Sequence, residues 1–216
     1  MTVTAEDGGR AAARAAARPW DVLLIGGASG VGKSSLAYPL ARRHGVPVLE
    51  VDDIVCALKA VTTPSQQPEL FFWDTDPDAF RLPPEAIMRQ GIALAEALQP
   101  ALEAVIGNHL ETDMPLVIEG DFLLPALAAR AGFAGIPAAG RVKALFVVES
   151  DAAAVVANYL AREPGEGEQS LRAEVSMAWV GWLREEAARV GVPVIEARPW
   201  ADGIARAEAA LAGRAG

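Results

Sequence analysis

Ten residues near the start of the chain, Gly26-Gly27-Ala28-Ser29-Gly30-Val31-Gly32-Lys33-Ser34-Ser35, constrain its fold more than any other stretch. Read from Gly27, they fit G-x-x-x-x-G-K-[ST] at every fixed position. The largely apolar run Asp21-Val22-Leu23-Leu24-Ile25 precedes them, as a buried parallel strand requires. Ser34 to Arg43 follows, with no glycine and with Pro39 as its only helix breaker, a residue expected to kink the helix or shift its register. Strand, glycine loop and helix together predict a phosphate-binding loop; the bland alternative is a glycine-rich turn that binds nothing. The glycines let successive N–H groups point inward at a polyphosphate, and the helix N-terminus adds its positive dipole end. Gly27, Ala28, Ser29, Gly30, Val31, Gly32, Lys33, Ser34 and Ser35 are thus the expected nucleotide-binding residues. Lys33 is expected to reach the β- and γ-phosphates and Ser34 to ligate Mg²⁺.

The chain has 216 residues, the length of one α/β domain. Its net charge of −9 argues against a nucleic-acid surface, which is normally basic. A single cysteine, Cys56, excludes an intramolecular disulfide and suits a reducing cytoplasm. No apolar run approaches the length of a membrane span. Residues 1–18, with their Ala-Ala-Ala-Arg repeats, are expected to form a flexible N-terminal tail, and 19–216 one domain. Oligomeric state is not legible.

Val46 to Val51 reads as a second strand, ending in Asp52 and Asp53. Ligands of open α/β sheets sit at the carboxyl ends of strands, so Asp52 is a candidate to accept a proton from a substrate hydroxyl. Asp53 either binds substrate or caps a helix from Ile54. Thr62 to Asp78, with three prolines and Phe71-Phe72-Trp73-Asp74, reads as a long irregular stretch. It forms either a lid or acceptor-pocket wall, with Trp73 touching substrate, or a plug for a side core. Pro83-Pro84 opens a helix that Pro100 either kinks or divides, with His109 expected just past its end as a cap.

Pro115-Leu116-Val117-Ile118-Glu119-Gly120-Asp121 has the form of a Walker B strand, an apolar run ending in acid. Glu119 is the candidate metal carboxylate, directly or through water, and Asp121 two residues on shares its side as a candidate substrate contact. Alternatively Asp121 caps a helix over Phe122 to Arg130. Val142 to Glu149 is a fourth strand, followed by a helix over Ala152 to Leu160 capped by Asp151. Arg162 to Ser170 reads as a mobile polar segment flanked by Arg162 and Arg172, candidate catalytic arginines, or else solvated charges. A helix over Ser176 to Val190 and a fifth strand over Val192 to Ile195 come next. Arg198 either borders the adenine or packs on Trp200, and a last helix spans Ala201 to about Gly213.

The phosphate loop, Val51-Asp52-Asp53 and Val-Ile-Glu-Gly-Asp-Phe-Leu-Leu-Pro together resemble the P-loop small-molecule kinases around 2-phosphoglycerate kinase. The resemblance runs from about Trp20 to Trp200, and only the loop is highly specific. That family is similar to nucleoside, shikimate-type and antibiotic phosphotransferases. The resemblance implies an α/β P-loop fold of nucleoside-monophosphate-kinase type: a five-stranded parallel sheet sandwiched by helices, with a helical lid. It implies an ATP/Mg²⁺-dependent kinase acting on a hydroxyl, with Lys33 and Ser34 on nucleotide and magnesium and Asp52 on the acceptor side. The chain departs from the family pattern where the acceptor binds. Asp53-Ile54-Val55 stands where a serine and an arginine follow the first Asp, and Asp121-Phe122 where a histidine follows Glu-Gly. A GTPase reading lacks its Asn-Lys-x-Asp motif, and an AAA-type motor its adjacent Asp-Glu. A non-catalytic or regulatory ATP-binding protein uses the same loop and is the rival expectation.

Overall fold

The structure is a computed structural model that describes residues 18–138 and 140–213. The tail expected over 1–18 lies, except for Arg18, outside the described residues. The first strand, β1 (Val22–Gly26), leads through the glycine loop into α1 (Lys33–His44). Then come β2 (Val48–Glu50), α2 (Val51–Val61), α3 (Pro68–Thr75), α4 (Pro84–Glu111), β3 (Leu116–Gly120) and α5 (Pro125–Ala128). A small hairpin, β4 (Gly132–Phe133) with β5 (Ile136–Pro137), precedes β6 (Val142–Val148) and α6 (Ala152–Arg162). The chain continues with α7 (Ser170–Val190), β7 (Val194–Glu196) and α8 (Gly203–Ala212).

Five strands form one parallel sheet in the order β2-β3-β1-β6-β7. The central strands β1, β3 and β6 are apolar along nearly their whole length because helices cover both faces. Helices α1 and α8 pack on one face; α4 and α7 pack on the other. Leu23, Ile25, Ile118, Leu145 and Phe146 are fully buried in the seam. The connection after β1 runs to one side, to β2, and the one after β3 runs to the other, to β6, so the order reverses between β1 and β3 at the carboxyl edge of the sheet, where such folds bind ligands. The register fixes what gathers there: Gly26 pairs with Gly120, and Ile25 with Glu119. The five-stranded parallel core sandwiched by helices is the expected architecture.

Several boundaries differ from expectation. The second strand ends at Glu50, and Asp52 and Asp53 lie in the first turn of α2 rather than at a strand end. Asp53 therefore caps no helix at Ile54. The cause is steric: a Cβ on Gly120 would come within 2.5 Å of Val51, so this glycine lets the fully buried Val51 turn into the sheet edge at once. The acids still favour the helix dipole from the first turn.

The aromatic stretch expected to be irregular contains α3, with Pro68 serving as helix start rather than breaker. Helix α4 is one unit through Pro100, and His109 lies in its last turn, its Nδ1 2.7 Å from the Met114 carbonyl oxygen. No helix spans Phe122 to Arg130; Pro125 and Ala128 bound a single turn before the hairpin. The polar segment after Arg162 holds a tight turn at Pro164–Glu166, and α7 starts at Ser170, because buried Ala173 and Ser176 extend its packed face upstream. The fifth strand is Val194–Glu196, and the final helix follows a tight turn at Trp200–Asp202.

Ile118 lies in the middle of the central seam with no exposed surface. Ile118→Ala is expected to lower unfolding stability by about 2–5 kcal/mol in urea titration, since a parallel strand buried on both faces cannot collapse onto the void.

Candidate active site

The glycine loop folds as a cradle because two of its residues occupy backbone space closed to other side chains. Gly30 and Gly32 have φ of 74° and 97°, and a Cβ at either would strike the ring of Tyr159 or Trp200. Helix α1 starts without a side-chain cap and without an acid in its first turn, so its first N–H groups face the loop unclaimed by a capping side chain.

Lys33 is the pivot. It is nearly fully buried; its Nζ donates to the Ala28 carbonyl at 3.1 Å, pairs with Asp121 and stands 3.8 Å from Glu119 Oε1. Burial works against its charge, but the attraction of Asp121 and Glu119 prevails and its pKa is raised, so the ammonium is secure. Ser34 Oγ donates to Glu119 Oε2 at 3.1 Å. Burial raises the Glu119 pKa, with Lys33 and the Ser34 hydrogen bond opposing that rise.

Asp52 is exposed to solvent in the first turn of α2, with part of its carboxyl shielded by neighbouring groups. Desolvation raises its pKa, Asp121, Glu50 and Asp53 add to the rise, and Lys33 opposes it. Glu119 and Asp121 converge around Lys33, and Asp52 feels the charges of Lys33 and Asp121 from the start of α2. Asp52 and Asp53 are both exposed on α2, and neither lines the cavity described below, so the expected acceptor-side carboxylate stands outside that lining.

A cavity of about 980 Å³ opens from the loop residues Ala28 and Ser29 between α3, α4 and α7. Trp73 and Asp121 line it, as does Arg172, whose Nη1 donates to Glu163 Oε2 at 2.7 Å. Arg172 Nη2 lies 3.5 Å from Ser29 Oγ, which brings this arginine to the phosphate loop. Arg162 turns outward to Glu163 and does not line the cavity. Both guanidiniums lie over the ring of Tyr159, at 5.3 Å for Arg162 and 4.4 Å for Arg172. Arg198 is fastened to Glu149 and to Asn158 Oδ1, while its guanidinium lies 5.8 Å from the centroid of the Trp200 ring. Asn158 in turn donates to the Gly30 carbonyl at 2.7 Å, so Arg198 braces the loop from the β7 side.

Sequence reasoning missed Tyr159, whose fully buried ring fills the space against Gly30 and whose hydroxyl pairs with Ser176 at 2.9 Å. It also missed Phe122, Trp179 and Gly91 in the cavity wall. A Cβ at Gly91 would come within 2.4 Å of the Trp179 indole; the glycine within an otherwise regular helical pattern was the one available signal.

The residues present fit a magnesium ion. Among the described residues no three His, Cys, Asp or Glu side chains form a metal cluster, whereas Ser34 and Glu119 place a hydroxyl and a carboxylate together beside the loop. Mg²⁺ prefers that arrangement, with one or two protein oxygens and the rest from phosphate and water.

The family model for isopentenyl transferase matches residues 20–180, most of the chain and all of the loop, Walker B edge and cavity just described. The chain belongs to the isopentenyl transferase family, a P-loop family. It is also 30% identical over 110 residues to a 2-phosphoglycerate kinase of Methanothermobacter thermautotrophicus and 32% identical over 111 residues to one of Methanocaldococcus jannaschii. Those alignments span 48% and 49% of this chain but only 36% and 35% of the relatives. The fold is that of a shikimate kinase from Acinetobacter baumannii, solved with shikimate: the TM-score is 0.50 at 13% identity, covering 94% of this chain and 99% of that one.

The raised Asp52 pKa has a sign that can be tested. The folded protein holds this carboxylate at a disadvantage above its folded pKa, and the disadvantage disappears below the unfolded pKa, where both states are protonated. Asp52→Asn is therefore expected to raise Tm at pH 7, with the gain over wild type shrinking toward pH 4, as read by paired thermal melts.

Proposed function

We propose that this isopentenyl transferase family member is an ATP- and Mg²⁺-dependent phosphotransferase that acts on the hydroxyl of a small molecule, in a cytoplasmic setting. One observation carries the reading: the buried, secured Lys33 at the start of α1 pairs with Asp121, which lines the cavity that opens from the phosphate loop. The 2-phosphoglycerate kinase relatives support it over the half of the chain they match.

The loop amides and Lys33 bind the β- and γ-phosphates, with Asp121 released as phosphate oxygens take over Lys33. Ser34 and Glu119 would hold Mg²⁺, which supplies charge neutralisation at those phosphates when bound. The acceptor oxygen attacks the γ-phosphorus; that P–O bond forms as the bond to the β–γ bridging oxygen breaks, and ADP leaves. Asp52 takes the hydroxyl proton and later returns it to solvent. Its raised pKa brings it nearer the working pH, where a general base is most effective. Arg172 faces the developing phosphoryl charge from the opposite wall, and the Tyr159 ring holds it there.

A second reading has its own support. The family match, and an apolar cavity beside a phosphate cradle, also suit transfer of an isopentenyl group from a diphosphate ester, with the diphosphate as leaving group in the same loop.

The deciding experiment incubates the protein with ATP, Mg²⁺ and a panel of hydroxylated metabolites, and in parallel with an isopentenyl diphosphate donor, reading products by mass. Stimulated ADP release with one phosphoryl group gained by an acceptor is the expected result. Lys33→Ala should reduce it by about 10²- to 10³-fold with the circular dichroism spectrum retained. Isopentenyl transfer without phosphoryl transfer, or full activity in Lys33→Ala, overturns the proposal. Asp52→Asn is expected to lower kcat while ATP affinity stays within about twofold, since Asp52 is assigned to the acceptor rather than to the nucleotide.

A further inference from the structure

The cavity that adjoins the phosphate loop carries more chemistry than a small hydroxy acid needs. Its volume of about 980 Å³ stands at the upper end of the roughly 300–1,000 Å³ that holds a drug-sized ligand. Two aromatic pairs line it. On the α3 side Trp73 stacks on Phe80, with centroids 5.7 Å apart and an interplanar angle of 28°. On the α7 side Phe122 meets Trp179 edge to face at 6.3 Å. Phe80 and Leu171 are exposed at this lining, apolar surface that a ligand with a ring would cover. The Trp179 indole N–H is buried without a hydrogen-bond partner among the described residues, an unspent donor in the wall.

The charges point the same way. Among the described lining residues there are three carboxylates, Asp121, Glu163 and Glu166, against one guanidinium, Arg172. Arg172 is already engaged by Glu163 and by the Tyr159 ring. Asp121 is engaged by Lys33, on the phosphate side. An anionic acceptor would find no uncommitted cation and would enter a field of its own sign. Recognition of a glycerate or sugar acid normally rests on a bidentate arginine or a paired lysine, and the one such residue among the described lining, Arg172, is already held by Glu163.

Resting on the kinase reading above, we infer that the acceptor is an uncharged or cationic hydroxyl-bearing molecule with a planar ring, gripped between the Trp73–Phe80 and Phe122–Trp179 walls, and not an anionic hydroxy acid. The ring fills the apolar body of the cavity and the hydroxyl reaches back past Asp121 to the γ-phosphate. Gly91 determines how much room there is: a Cβ at this position would come within 2.4 Å of the Trp179 indole, so the glycine lets that ring pack close to α4.

Calorimetry on the full chain saturated with a non-hydrolysable ATP analogue tests this with two matched pairs: phenylethanediol against mandelate, and sorbitol against gluconate. Phenylethanediol is expected to bind at least about tenfold more tightly than mandelate, and more tightly than either ring-free compound. Trp73→Ala, which leaves Lys33 and the loop in place, is expected to weaken phenylethanediol by about three- to tenfold while leaving the analogue's affinity unchanged. Equal or tighter binding of mandelate or gluconate, or no binding of phenylethanediol up to its solubility limit, overturns the assignment. Titration of the analogue alone into wild type and Lys33→Ala separates the two readings. If the analogue binds only to wild type, the nucleotide site stands whichever compound wins. If it binds to neither while phenylethanediol still binds, the kinase reading falls and the ring pocket stands.

Discussion

The site depends on one buried cation. Lys33 is placed at the reversal point of the sheet by the strand-to-helix turn, and burial alone would push its proton off. Asp121 and Glu119, on the neighbouring strand end, hold that charge in place, and the register of β1 against β3 is what brings them within reach. The pairing is a mutual dependence: the acids need the lysine as much as it needs them, because an unpaired buried charge is far more expensive than a pair. A phosphate entering the cradle therefore does not meet a bare cation. In the proposed reaction it exchanges places with a carboxylate, and Asp121 is then free to face the cavity.

Tyr159 links that exchange to the far wall. Its ring abuts Gly30, its hydroxyl reaches Ser176 on α7, and two arginines lie across it. Loop, α6 and α7 thus share one rigid aromatic spacer. Arg162 and Arg172 are similar in sequence terms, each flanking a polar segment. Only Arg172 is brought to the loop, because it arises one turn before Ser176 on the face of α7 that packs against Tyr159.

What could be read from the chain follows the range of the interactions involved. The strands β1, β3 and β6 are continuous apolar runs, and burial on both faces leaves them no other reading. Lys33, Ser34, Glu119 and Asp121 sit at fixed offsets from those runs, so their gathering was legible too. The start of α2 was not, because Val51 turns inward only where Gly120, far along the chain, leaves it room. Helix α3 was concealed by prolines that start helices as readily as they end them. Tyr159 and the Trp179–Gly91 contact were invisible for the same reason as each other: each is defined by partners from separate segments, and neither residue looks unusual among its own neighbours.

The notch at Gly91 has a consequence for how such a chain diversifies. It lies on a long helix in the cavity wall, outside the phosphate loop, and the group it meets is the Trp179 indole. One methyl group there displaces an indole, and the space available to a second substrate contracts with no change to the machinery that handles phosphate. On the proposed function, the breadth of molecules accepted and the power to transform them lie in different parts of the fold, so one can drift under selection while the other stays fixed.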